Sequence, residues 1–350
     1  MITINFFIME SIFYNTIDIS SSWENPGESN LTFVDLFAGC GGMSFGLEMA
    51  GLKGLAAVEH KEIASITYGR NLYHQVVTDD ICLPETKQRL YNIVQQLTGN
   101  FGVDVVAGGP PCQGFSMAGK RQADDQRNQL YRQYIEVVGH LLPRYVVMEN
   151  VSGMKTMSGG EFISSITHDL EALGYEIDIM TLNSADYCVP QKRERIILIG
   201  NRIRVANLFP APLLTPARYV TVRDAIADLS SAPEDKSLSH VYTKHGAGKI
   251  EAIRNLKPGG HYSKKYNGTL RRLYWDRPSY TVTYSNGNCD IHPERPRVLT
   301  LRELARLQSF PDSFRFYGSK QDQGVAIGNA VPPLLAKAIG LALREMEKMQ

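Results

Sequence analysis

From Leu31 to about residue 203, short runs rich in Val, Ile and Leu alternate with stretches whose apolar residues recur every three or four positions. Six runs predict strands, at 31–37, 55–60, 103–109, 145–151, 175–182 and 195–200. Between them lie helical patterns near 43–50, 61–71, 84–97, 126–141 and 160–173. Strands separated by helices predict a mostly parallel sheet covered on both faces, a doubly wound α/β domain. Beyond residue 203 the rhythm fails. Pro210, Pro212, Pro216, Pro233, Pro258 and the pair Gly259-Gly260 break the chain into short irregular pieces, as expected of a second, loop-rich domain. Helical spacing returns at 300–307 and 333–347. The first 20 residues are apolar in places but lack the basic start of a signal sequence, and Asn5, Glu10 and Asn15 interrupt them, so they read as an N-terminal extension.

Composition adds exclusions. At 43% hydrophobic and 21% charged residues, the 350-residue chain has an ordinary globular make-up, and no stretch approaches the ~20 uninterrupted apolar residues of a membrane helix. Five cysteines (Cys40, Cys82, Cys112, Cys188, Cys289) without a CxxC pair argue against a disulfide framework or a cysteine-rich zinc site, and fit a reducing, cytoplasmic setting. Net charge is only +1, but its distribution is uneven. Residues 1–52 hold no Lys or Arg, whereas residues 241–310 hold 13 against 5 acids. In that stretch Lys264, Lys265, Arg271, Arg272 and Arg277 are interleaved with Tyr262, Tyr266, Tyr274, Trp275 and Tyr280, a mixture suited to phosphate contact and base stacking, or to a solvated basic face over ordinary core aromatics.

Candidate chemistry clusters at predicted strand ends. VDLFAGCGG (34–42) is a strand entering a glycine-rich turn and then a helix, and Glu59 ends the next strand 18 residues beyond Gly41, where an acid would hold ribose hydroxyls. The spacing is not the G-x-G-x-x-G of pyrophosphate binders, so adenosine on an uncharged link, as in S-adenosylmethionine, fits better than NAD. Asp80 offers an acceptor for an adenine amino group and Ile81 an apolar surface; the alternative is a solvent acid and a core Ile. GGPPCQGFS (108–116) places Cys112 on a stiffened loop at the carboxyl edge of the sheet, and the next strand ends in Glu149. A thiol, a carboxyl group and a methyl donor suggest one reaction. Carbon 5 of cytosine becomes nucleophilic when a thiolate adds at carbon 6, and a carboxyl group at N3 eases that addition. Gln191, Arg193 and Arg195 alternate with period two, so their side chains share a face, with Arg195 suited to a base carbonyl and Arg193 to a phosphate, or all three to an exposed charged edge.

In order, DLFAGCGG, Glu59, Asp80-Ile81, GGPPCQGFS, ENV, QKRER, RVLTLRELARLQSFPD (297–312) and GNAVPP (328–333) resemble the motif series of the 5-cytosine DNA methyltransferases, especially the bacterial restriction-modification type, from Leu31 to about Ala338. The resemblance implies Cys112 as nucleophile, Glu149 as the acid at N3 and Arg195 as a base-orienting residue. It implies an S-adenosylmethionine site from Phe37, Gly39, Gly41, Glu59, Asp80, Ile81, Asn329 and Val331, and DNA contacts from Gln113, Ser116, Lys120, Gln191, Arg271 and Arg272. It also implies a division into an extension (1–30), a Rossmann-like catalytic and cofactor-binding domain (31–203), a target-recognition domain (204–315) and a C-terminal segment (316–350) returning to the first domain. The expected partner is double-stranded DNA, with the target cytosine flipped out of the duplex. A monomer is expected, bound to the bacterial nucleoid through DNA, with any cognate endonuclease acting separately and no membrane involved. The tRNA-methylating branch shares these blocks but carries a Cys-Phe-Thr signature, which this chain lacks.

Overall fold

The computed structural model describes residues 16–100, 102–111, 130–263 and 270–350, with the side chains of 156–159 excepted. Its centre is a seven-stranded sheet made of β2 (Thr32–Leu36), β3 (Lys53–Glu59), β4 (Gln75–Thr78), β5 (Val105–Gly108), β6 (Tyr145–Val151), β7 (Glu176–Asn183) and β8 (Glu194–Asn201), in the order β4-β3-β2-β5-β6-β8-β7. Every pairing is parallel except those of β8, which runs antiparallel between β6 and β7. The strand order reverses between β2 and β5, so their carboxyl ends diverge there into the crevice where such sheets bind ligands.

Side-chain alternation sorts each strand onto two cores. Val34, Leu36, Val106, Val146, Met148, Ile196 and Leu198 face one layer, with Leu90 and Val94 of α4 (Pro84–Thr98), Tyr134 and Val138 of α5 (Leu130–Leu141) and Ile166 of α6 (Glu161–Ala172). Phe33, Val105, Ala107, Val147, Ile197 and Ile199 face the other, with Leu47 of α2 (Gly42–Met49) and Leu335 and Ile339 of α11 (Pro333–Glu347). Burial on both faces is why these strands are continuously apolar in sequence. Together α10 (Lys320–Asn329) and α11 form a membrane-length apolar stretch, but two thirds of its most apolar window is buried inside the protein, which marks it as core.

The N-terminal extension is partly built into the fold. β1 (Thr16–Ile17) pairs in parallel with β9 (Phe209–Pro210), Ile19 is buried, and α1 (Ser20–Trp23) packs on α11, where Lys337 Nζ donates to the Trp23 carbonyl. Residues 1–15 lie outside the described residues.

After β9 the chain is irregular, as its prolines and glycines predict, with α3 (Glu62–Asn71) of the sheet layer adjoining it and α7 (Val222–Ile226), α8 (Ala247–Arg254) and α9 (Leu301–Leu307) as its helices. A third core joins Val222, Ile226, Leu273, Ile291, Leu304, Phe310 and Phe314. The RVLTLRELARLQSFPD segment is the frame of this core. Thr300 and Glu303 form a reciprocal cap on α9, Glu303 takes two 2.8 Å hydrogen bonds from Arg297, and the fully buried Arg302 donates to the carbonyls of Leu238, Pro311 and Phe314. Several cations of the basic stretch are therefore internal struts.

Candidate active site

The glycine turn is built for close approach. Phe37 and Gly39 both have positive φ (58° and 57°), turning the chain sharply after β2, and a Cβ placed on Gly39 would meet no atom within 4 Å. Gly42 is needed for the opposite reason, since a Cβ there would lie 2.2 Å from the Val331 carbonyl oxygen. The turn thus has an open face at Gly39 and a face pressed on the GNAVPP segment at Gly42. Glu59 locks the open side: its two carboxylate oxygens accept 2.8 Å hydrogen bonds from the backbone N–H of Gly39 and Lys61. Oε1 also lies 3.3 Å from His60 Nδ1, so the oxygen that takes the Gly39 N–H is the one with a lone pair to spare. Asp79 is paired to Arg89, which leaves the exposed Asp80 as the freer of the two acids, although one of its oxygens caps the Cys82 N–H at 2.9 Å. Ile81 is buried in the sheet core, Asn329 is exposed and Val331 is half-buried.

Beneath the turn runs a buried polar chain that the sequence reading did not single out. Ser44 Oγ donates to Asp35 at 2.6 Å and shares a 2.8 Å hydrogen bond with the Tyr68 hydroxyl, which contacts His74; His74 Nδ1 is 3.1 Å from Glu48. Burial pushes the Asp35 carboxyl up to about 7, against the opposing Ser44 hydrogen bonds.

At the adjoining strand ends, Glu149 and Arg195 meet. They are diagonal neighbours across the β6–β8 pair, and Arg195 Nε lies 2.9 Å from Glu149 Oε1, each side chain only 12% exposed. The other carboxylate oxygen sits 3.4 Å from where a Cβ on Gly109 would stand, so the acid overlooks the Gly-Gly-Pro-Pro turn. Asn150 fixes that turn by donating a 2.8 Å hydrogen bond to the Pro110 carbonyl. The signal for Asn150 was its place beside the acid at a strand end. Burial lowers the Arg195 pKa, and the Glu149 charge opposes that shift. The next residues, including Cys112, Gln113, Ser116 and Lys120, lie outside the described residues.

Three expected contacts are corrected by burial. Gln191 and Arg193 precede β8, and their side chains are buried on protein carbonyls and amides. Gln191 is 0% exposed, donating to Gln308 Oε1 (2.7 Å) and the Leu307 carbonyl and accepting from the Val282 N–H (2.6 Å), so it does not reach DNA. Arg193 is 3% exposed and donates to the carbonyls of Val282, Gly328 and Ala330, which removes it from any phosphate. Burial, then the neighbouring Arg195, bring its pKa down to about 9. Arg272 is 4% exposed and donates to the carbonyls of Ile253, His292 and Pro293, so it too is a strut. Gln308, which also donates to Ile327 at 2.7 Å, completes a knot joining QKRER, residue 282 and the GNAVPP turn. Arg271 remains near the surface.

Among the described residues no cluster of His, Cys, Asp and Glu is suited to a metal ion, and Cys40, Cys82, Cys188 and Cys289 are free thiols. The glycine turn, the acid after the second strand of the series and the strand order define a doubly wound methyltransferase fold. A family model described as C-5 cytosine-specific DNA methylase matches residues 31–345, and the chain belongs to that family, whose enzyme class is DNA (cytosine-5-)-methyltransferase (EC 2.1.1.37). Among similar proteins, Type II methyltransferase M1.HphI of Haemophilus parahaemolyticus is 40% identical over 333 residues, covering 91% of this chain and 87% of that protein. Type II methyltransferase M.DdeI of Desulfomicrobium norvegicum is 32% identical, covering 88% and 87%. A crystal structure of a prophage-encoded E. coli protein superposes with a TM-score of 0.75 at 27% identity, covering 91% of this chain and all of that one. Entamoeba histolytica methyltransferase EhMeth shares the fold, with a TM-score of 0.65 at 14% identity over 92% of this chain and all of that one.

Proposed function

We propose that this protein is the modification methyltransferase of a Type II restriction-modification system, methylating carbon 5 of a flipped-out cytosine in a specific duplex sequence. The observation that carries this reading is the Glu149–Arg195 pair facing the turn that leads into Cys112. The Cys112 thiolate adds to carbon 6 of cytosine while Glu149 holds N3 and Arg195 the base carbonyl, so the ring electron density moves to carbon 5. Carbon 5 then takes a methyl group, a base removes its proton, and the thiolate is expelled as the ring double bond reforms. Fixing Glu149 beside a guanidinium keeps the acid aimed at one edge of the base, and Asn150 holds Pro110 at the same strand end.

The site fits S-adenosylmethionine as the methyl source. Gly39 leaves an open cradle that a side chain would fill, Glu59 stands at its edge with spare acceptor capacity on the oxygen bonded to Gly39, and Asp80 is an exposed acceptor. When bound, the cofactor supplies an electrophilic methyl on a sulfonium. Phe37, Gly41, Ile81, Asn329 and Val331 complete the proposed surround. DNA is proposed to lie between the 31–203 and 204–315 units, with residues 316–350 returning to the first. The protein is proposed to act as a cytoplasmic monomer, separate from any endonuclease. The test is incubation with duplex DNA and methyl-labelled S-adenosylmethionine. Label on carbon 5 of cytosine is expected; label entering only tRNA, or no acceptor, would overturn the reading.

A further inference from the structure

Besides the buried struts Arg297 and Arg302, which lie over Tyr242 and Phe316, cations of the irregular lobe stack on aromatic rings as Arg271 on Tyr280 (3.8 Å), Arg277 on Tyr274 (4.0 Å), Arg223 on Trp275 (5.0 Å) and Lys249 on Tyr262 (5.6 Å). They are not equivalent. Arg277 donates from Nε and Nη2 to Asp276, so its fork is occupied. Arg223 has a stack, but among the described residues no hydrogen bond anchors its side chain. Arg271 is held at three points. Its guanidinium lies on Tyr280, its Nε donates to His261 Nε2 at 2.9 Å, and its backbone N–H donates to the buried Asp290 at 3.3 Å. Among the described residues nothing pairs with its two terminal nitrogens.

Among the described residues this leaves an anchored plane with two parallel donors to spare. A guanidinium forked onto a phosphate would use the same two donors but would read no sequence. Two parallel N–H donors match the O6 and N7 acceptors on the major-groove edge of guanine, the pairing that discriminates it from other bases. The location agrees. Tyr280 is flanked by Ser279, whose N–H donates to the Pro190 carbonyl and whose own carbonyl accepts from Lys192, and by Thr281, whose hydroxyl donates to the Lys192 carbonyl. The platform under Arg271 is thus tied to the segment that enters β8 and carries Arg195.

We propose that Arg271, oriented by Tyr280 and His261, reads a guanine in the recognised sequence. The inference rests on the DNA-methylating activity proposed above. The test is to methylate a duplex library of random sequence with purified wild type, Arg271→Ala, Arg271→Lys, Tyr280→Leu and Arg223→Ala, and to map methylated cytosines by bisulfite sequencing. The wild-type consensus is expected to contain a G·C pair, besides that of the methylated cytosine, whose discrimination falls about tenfold or more in Arg271→Ala, with the other positions kept. Tyr280→Leu should relax the same position, Arg271→Lys should retain less selectivity there than wild type, and Arg223→Ala should leave the consensus unchanged. A consensus with no G·C pair besides that of the methylated cytosine, an Arg271→Ala enzyme that loses discrimination at an A·T pair instead, or one that is uniformly slower on an unchanged consensus, overturns the proposal. A wild-type enzyme that methylates no DNA cytosine instead overturns the proposed function, a distinct result.

Discussion

Glu149 pairs with Arg195 and overlooks the Gly-Gly-Pro-Pro turn, and the proposed mechanism sets its carboxyl group on the base, away from the glycine turn. Glu149→Gln should lower turnover by about 10²-fold or more while S-adenosylmethionine affinity stays within about twofold, measured by single-turnover kinetics and calorimetry. Loss of cofactor affinity would place the acid in the wrong site. Asp35 offers a test by pH. Its carboxyl is raised from 3.8 to about 7 by burial, so the folded protein holds a proton that the unfolded chain releases. Its contribution to stability falls as pH rises from about 4 to 7 and is flat above. Asp35→Asn should therefore gain stability relative to wild type between pH 5 and pH 8, by an amount on the order of a few kcal/mol in urea unfolding. An equal difference at both pH values would contradict the burial assignment.

At the scale of elements, the two glycines of the turn should fail differently. Gly42→Ala drives a methyl into the Val331 carbonyl and should cost about 1–3 kcal/mol of stability by separating α2 from the start of α11. Gly39→Ala has open space around the new methyl, and its positive φ should cost only about 1 kcal/mol, yet the methyl occupies the cradle, so cofactor affinity should fall more than stability. Thermal melts paired with S-adenosylmethionine titrations separate the two effects. The elements themselves were plain in the sequence where both faces of a strand are buried, as in β2, β5, β6 and β8. The short edge strand β4 was not among the six apolar runs, because exposed Gln75 and Thr78 flank only two valines. The antiparallel placement of β8 was equally hidden, since a strand buried on both faces has the same composition in either direction.

For the whole molecule, charge was the least transparent property. Counting cations between 241 and 310 pointed to the basic lobe, but Arg272, Arg297 and Arg302 are buried on carbonyls or carboxylates and Arg306 is paired with Asp228 and Asp312. Buried struts and surface contacts use the same residue type, and only tertiary packing tells them apart. Gln191 and Arg193 misled for the same reason: period-two spacing gives a shared face but not whether that face meets solvent or protein. The motif blocks, by contrast, were readable because their glycines, prolines and paired acids answer to local geometry. Lys244, Lys257 and Arg295 remain exposed, so the DNA affinity of the intact enzyme should fall steeply between 50 and 200 mM salt, a range in which phosphate-contacting proteins lose roughly 10³–10⁵. Affinity independent of salt would remove the basic lobe from the DNA interface.

The central claim is that Cys112 attacks carbon 6 of a cytosine brought to the Glu149–Arg195 pair. The direct measurement is to offer duplex DNA carrying 5-fluorocytosine at the methylated position, together with S-adenosylmethionine, and to look for a denaturant-resistant protein–DNA adduct. The fluorine at carbon 5 cannot leave as a proton does, so the account predicts that the adduct accumulates, maps to Cys112 and is absent in Cys112→Ser, which should also transfer no methyl. Methyl transfer that persists in Cys112→Ser with no trapped adduct would contradict it.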